Sequence, residues 1–165
     1  MSIKFKKMNK DNIDSIKDLN AGEWIEFTGD IITLRDSSAL RLNDLPIDLK
    51  GTIVLYGAPT EGERIIIGPT TSKRMDSSLE DLLKKGVIAT IGKGNRGEGA
   101  LALIKEHKAP YFVMMSGVSS YLSSFFKEGK IVAFQDLGPE AVRRYTVKDL
   151  PLLTAIDPKG KSIFY

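Results

Sequence analysis

The chain has 165 residues, 42% hydrophobic and 27% charged, a balance that suits one folded domain with a single sizeable core and argues against a disordered chain. Its net charge of +3, from 24 basic and 21 acidic residues, is too mild and too scattered for the basic stripe that nucleic-acid binding needs. Cysteine is absent and histidine occurs once, at His107, so the chain alone cannot hold a thiolate zinc site, a multi-histidine metal site or an iron–sulfur cluster.

In chain order, residues 3–8 alternate apolar and polar and read as a strand, with Lys4, Lys6, Lys7 and Lys10 protecting an edge. Residues 9–19 place Ile13, Ile16 and Leu19 at helical spacing, with Asn9 or Asp11 as cap. Residues 23–34 read as two strand pieces around Gly29-Asp30, and Asp36 or Ser37 caps a short helix through Leu42. Strands are expected at 51–56, closed by Gly57-Ala58-Pro59, and at 63–67. A helix over 77–85 stops at Gly86, and residues 87–91 form a buried strand. After the glycine-rich stretch 92–99 come a helix at 100–107, a strand at 111–115, a helix at 118–126 and a strand at 131–134. Strands at 143–147 and 152–156 and a turn at 157–160 complete the chain. His107 ends a polar helix and reads as a surface residue. The first ten residues, MSIKFKKMNK, lack an apolar signal core, and no run reaches the length of a membrane span, so the expectation is a cytoplasmic protein with no membrane association. Alternation of strand and helix from Val87 to Phe134 argues for parallel pairing with right-handed crossovers. The expected class is α/β, a single domain over 1–165 in three layers (β/β/α), with a mixed or parallel central sheet and a second antiparallel sheet.

Three loops follow strands and set polar residues beside glycines, the place where α/β sheets favour ligands. Residues 68–76 (GPTTSKRMD) hold two threonines, a serine, a lysine and an arginine directly before a helix. Hydroxyls, backbone N–H groups and a helix N-terminus suit an anion, and Arg74 can grip a carboxylate through two parallel hydrogen bonds. The same spacing also serves a plain capping turn with a surface arginine. Residues 92–99 (GKGNRGEG) contain G-x-G-x-x-G at Gly92, Gly94 and Gly97, but no acidic residue closes the following strand, as a dinucleotide fold requires. Lys93 is followed by Gly94 rather than Ser or Thr, so a Walker A loop is excluded. The remaining reading brings Lys93 and backbone amides to an anionic ligand. Residues 33–41 (TLRDSSALR) offer Arg35 beside Asp36, which alone is also what a surface ion pair looks like. Arg35, Arg74 and Lys93 are enough cations for two carboxylates. Yet no histidine accompanies the loops and no two carboxylates converge by sequence, so an enzyme built on them has part of its active site elsewhere.

GPTTSKRMD at 68–76, IGKGNRGEG at 91–99 and DLGPEAVRRYTVKDLP at 136–151 resemble the β region of class I fumarate hydratases and of L(+)-tartrate dehydratase β subunits. TGDIITLRD at 28–36, IDLKGTIVLYGAP at 47–59 and AIDPKG at 155–160 extend the resemblance in order along nearly the whole chain. The resemblance implies a swivelling β/β/α domain that closes over substrate. It also implies an α region, fused or on a separate chain, whose three cysteines hold a [4Fe–4S] cluster with one open iron site. The absence of cysteine here then fits a separate β subunit. The implied reaction is reversible hydration of fumarate to L-malate, a hydro-lyase step of the tricarboxylic acid cycle, with L(+)-tartrate dehydration as the alternative. A non-enzymatic dicarboxylate-binding module is the reading from another class.

Matched by motif, Arg35, Thr70, Arg74 and Lys93 correspond to residues that contact substrate, with Thr71 and Gly92 helping through backbone geometry. Thr70 matches the threonine that takes the carbon-bound proton. A hydroxyl is a poor base, so it needs Lys93 and Arg74 beside it to stabilise the alkoxide. The iron, as Lewis acid, comes from the partner chain. The implied assembly is a hetero-oligomer with the α subunit, with a homodimer of the isolated chain as the other arrangement. One departure stands out: the family's RDAAHKR reads RDSSALR here, so Ala39 replaces a histidine.

Overall fold

The computed structural model describes residues 2–60, 67–114, 119–127 and 129–164. The strand expected at 63–67 lies outside these except for Ile67, and so do Met115 and Val118, the expected end of one strand and start of one helix.

Strand β1 (Phe5–Met8) pairs in parallel with β2 (Trp24–Leu34). Among the described residues β2 is its only strand partner, which makes β1 the edge that the alternating lysines anticipate. Between the two, residues 9–19 form a 3-10 turn over Ile13–Asp18 instead of the expected helix. Asn9 Oδ1 accepts from the Asp11 N–H and Asn12 Oδ1 from the Asn9 N–H, so side chains satisfy the backbone that would otherwise start an α-helix. Ile16 and Leu19 are nonetheless buried.

Strand β2 runs unbroken where two pieces were expected. Its register against β8 (Val142–Ile156) shifts between Phe27 and Gly29, and the Phe27 ring covers Gly29, where a Cβ would lie 2.8 Å from the ring. The Gly29-Asp30 signal therefore marks a bulge, not a turn. The strands expected at 143–147 and 152–156 are the two ends of β8. Asp149 (φ +53) bends β8 between them and donates its N–H to Thr28 Oγ1 at 2.9 Å.

From β2 the sheet continues in parallel through β3 (Ile53–Pro59), β5 (Ala89–Gly92) and β6 (Tyr111–Val113). Helix α2 (Asp76–Lys84) precedes β5, and α3 (Glu98–His107) crosses from β5 to β6. Strand β4 (Ile67–Pro69) returns antiparallel beside β3, and β7 (Lys130–Ala133) pairs with the first part of β8. Two short helices, α1 (Asp36–Ala39) and α4 (Ser119–Leu122), follow β2 and β6. The α/β class holds, with parallel and antiparallel ladders both present. Strand β8 joins them, because it pairs antiparallel with β2 along one side and with β6 along the other. The circuit β2–β3–β5–β6–β8 thus closes into a small barrel-like arrangement.

Alternation along β3 explains its double burial. Ile53 and Leu55 enter one core cluster with Ile31, Ile91 and Phe112, whereas Val54 and Tyr56 enter another with Ile32, Leu34 and Leu82. In a third cluster, Leu79 and Leu83 of α2 and Ala100 and Ile104 of α3, each pair spaced by four, pack against Tyr111 and Ile156. Leu34 pairs with Tyr56 and Leu55 with Ile91, so the carboxyl ends of β2 and β5 finish at one level beside Tyr56, while β3 runs on to Pro59 against β4. Arg35 and Lys93 follow directly at that end.

Candidate functional site

The turn after β4 and the loop after β5 are joined through their backbones. Thr70 donates its N–H to the Tyr56 carbonyl at 2.6 Å, which holds the start of GPTTSKRMD against β3. Lys93 donates its N–H to the Thr70 carbonyl at 3.4 Å, and Ser72 donates to the Lys93 carbonyl at 3.1 Å, forming a parallel bridge between Thr71 and Lys93. This approach needs glycine: a Cβ at Gly92 would stand 1.8 Å from Ser72 Oγ. Thr70 is 7% exposed, Lys93 is half-buried and Thr71 is exposed.

Arg35 comes from the neighbouring loop after β2, and Arg74 from the same turn as Thr70 and Thr71. The Arg35 N–H donates to Ser38 Oγ at 3.0 Å, which fixes the first turn of α1 at the end of β2. Arg35 Nε is buried and has no hydrogen-bond partner among the described residues. Buried donors are nearly always paired, so this is a position that an added carboxylate can complete. Arg74 ion-pairs with Asp36, the residue after Arg35, and its side chain stays 54% exposed. The pair links the first loop to the second. The five residues singled out by sequence thus lie on three loops at one end of the barrel. Thr70, Thr71 and Lys93 are joined directly, and Arg74 is tied to Arg35 through Asp36. Two guanidinium forks, an ammonium and hydroxyls at one rim can bind a dianion in a fixed orientation.

The residue that holds this end together is not among those the sequence singles out. Arg96, inside GKGNRGEG, is 1% exposed. Its Nε donates to Asp76 Oδ1 at 2.7 Å, Nη1 to Thr90 Oγ1 at 3.0 Å and Nη2 to the Tyr56 hydroxyl at 3.2 Å. The Tyr56 and Tyr111 ring centroids each stand 5.1 Å from its Cζ. Asp76 Oδ2 accepts from the Gly97 N–H at 2.8 Å. Tyr111 donates to the Gly94 carbonyl at 2.7 Å and stands 2.8 Å from Ser72 Oγ. Burial pushes the Tyr111 hydroxyl up to about 12 and raises that of Tyr56, so both stay protonated near neutrality. The available signal was an arginine and an aspartate inside two glycine-bearing motifs, with tyrosines ending one strand and opening another.

The same contacts weigh against a dinucleotide at Gly92–Gly97. Asp76 already caps the entry to α3 with a carboxylate, where a pyrophosphate would need the free N–H groups. Among the described residues no group of three or more His, Cys, Asp or Glu could hold a metal, and the sequence has no cysteine, so this chain does not fit an iron–sulfur cluster. His107 is exposed at the end of α3. No helix among the described residues is long and apolar enough to cross a membrane.

A family model described as fumarase C-terminus matches residues 2–165. A Geobacillus stearothermophilus protein provisionally named fumarate hydratase class I is 31% identical over 161 residues, 91% of this chain but 31% of its own length. A Methanocaldococcus jannaschii protein, provisionally named L(+)-tartrate dehydratase subunit beta, is 30% identical over 181 residues, 99% of this chain and 91% of its own length. The L(+)-tartrate dehydratase subunit beta of Escherichia coli (strain K12) is 29% identical over 163 residues, 91% of this chain and 81% of its own. The chain therefore spans about a third of the fumarate hydratase relative and most of the two β subunits.

Proposed function

The chain belongs to the fumarase C-terminus family, and from that premise we propose that it is the β subunit of an iron–sulfur-dependent hydro-lyase that reversibly hydrates fumarate to L-malate. The observation that carries this reading is the backbone bridge between Thr71 and Lys93, which unites the GPTT turn and the GKG loop into one surface. In this reading Arg35 and Arg74 take the substrate carboxylates, Lys93 adds a point charge, and Thr71 and Gly92 shape the floor. The Thr70 hydroxyl exchanges the carbon-bound proton, with Lys93 and Arg74 stabilising the developing alkoxide. The [4Fe–4S] cluster belongs to an α subunit, because this chain has no ligands for it, and the domain closes on that subunit as a swivelling β/β/α body. The assembly is cytoplasmic.

The match across most of two β subunits named for tartrate supports L(+)-tartrate as the second substrate reading. Both are tested by mixing the chain anaerobically with its α subunit and a reconstituted cluster, then assaying fumarate and L(+)-tartrate in parallel. The mixture is expected to hydrate fumarate, and the chain alone to be inactive. Turnover by the isolated chain contradicts the proposal. Activity on tartrate but not fumarate transfers it to the second substrate. Diacid binding by the chain with no activity in any mixture leaves the non-enzymatic module.

A further inference from the structure

Arg96 has no place among the ligand-gripping groups, yet it is buried more deeply than any of them. Its guanidinium touches β3 through Tyr56, β5 through Thr90 and the start of α2 through Asp76. Asp76 in turn holds the Gly97 N–H, and Tyr111, packed on the guanidinium, reaches Ser72 of the first loop and Gly94 of the second. This cluster therefore ties the GPTT turn to the rest of the GKG loop, beside the Thr71–Lys93 bridge itself.

We propose that Arg96 is a positioning residue that sets the distance between the Thr70 hydroxyl and the Lys93 ammonium, acting through Asp76, Tyr56 and Tyr111. This rests on reading Thr70 and Lys93 as ligand-contacting groups. Arginine is required because three donors in a rigid plane satisfy Asp76, Thr90 and Tyr56 at once while the guanidinium packs on the Tyr56 and Tyr111 rings. A lysine ammonium has the charge but neither the fork nor the plane.

Hydrogen exchange on the full chain and kinetics of the assembled enzyme test it together. In R96K, amide exchange over 70–76 and 92–97 rises together by about tenfold, while β3, β5 and β6 keep their protection. At a temperature where far-UV circular dichroism is that of wild type, kcat/KM of R96K for the diacid falls by about 100-fold. Guanidinium ion restores R96G saturably, and urea, of similar shape without charge, does not. Exchange that rises in one segment only, uniform loss of protection across the core, or wild-type kcat/KM in R96K overturns the proposal. If the wild-type assembly turns over no diacid, the functional reading falls, and the exchange pattern still decides whether Arg96 couples the two loops.

Discussion

Two arginine–aspartate pairs sit at the same end of this barrel and do opposite things. In Arg96–Asp76 the arginine packs on two tyrosine rings and its side chain is fully buried, with the aspartate 21% exposed. Arg74–Asp36 lies open at the rim, with side chains 54% and 44% exposed. A buried, hydrogen-bonded pair is committed to architecture, since removing one partner strands the other charge. An exposed pair is worth little to stability and can be exchanged for a ligand carboxylate at small cost. The difference separates arginines that look alike in sequence into one buried in the framework and one left exposed at the rim.

The largest effect expected is on stability at the buried pair. Replacing Arg96 by Met should lower unfolding free energy by about 3 kcal/mol or more, read by urea denaturation, because Asp76 keeps its charge without its partner. Arg74→Ala should do the reverse, cutting kcat/KM of the assembled enzyme by about 100-fold while shifting the urea curve by less than about 0.5 kcal/mol. Equal stability losses in the two variants would erase the distinction.

Gly92→Ala sharpens it from the backbone side. The new Cβ meets Ser72 Oγ and should cost about 1–3 kcal/mol by forcing the two loops apart. Tyr111 gives the pH signature. Burial raises its hydroxyl to about 12, so folding favours the protonated phenol. That contribution is complete below the unfolded value of about 10 and is lost as pH rises towards 12. Urea midpoints should therefore fall more steeply above roughly pH 10 for wild type than for Tyr111→Phe, which has no proton to lose there. The smallest effect belongs to Asp36→Asn, which should change stability by less than about 1 kcal/mol and tighten diacid binding by releasing Arg74, measured as a lower KM.

The loops that meet at this end were legible in the sequence, because Thr70, Thr71, Arg74 and Lys93 sit in short motifs where residue type and local turn coincide. Arg96 was not, although it is only three residues from Lys93. An arginine among glycines reads as solvated, and its burial depends on Tyr56 and Tyr111, which are remote in the chain and meet only after β3, β5 and β6 align. Barrel closure was hidden for the same reason. It depends on β8 pairing with β2 across more than a hundred residues, and no local pattern encodes that partner. Gly29-Asp30 misled in another way: the composition of a turn served a bulge once Phe27 folded over the glycine.

The most direct test of the central claim is a structure of the assembled α/β enzyme with its diacid bound. The expected result places the substrate carboxylates on Arg35, Arg74 and Lys93, with Arg74 released from Asp36, the Thr70 hydroxyl facing the substrate carbon, and Arg96 unmoved against its tyrosines. A diacid held by the partner alone, with Arg74 still paired to Asp36, would contradict it.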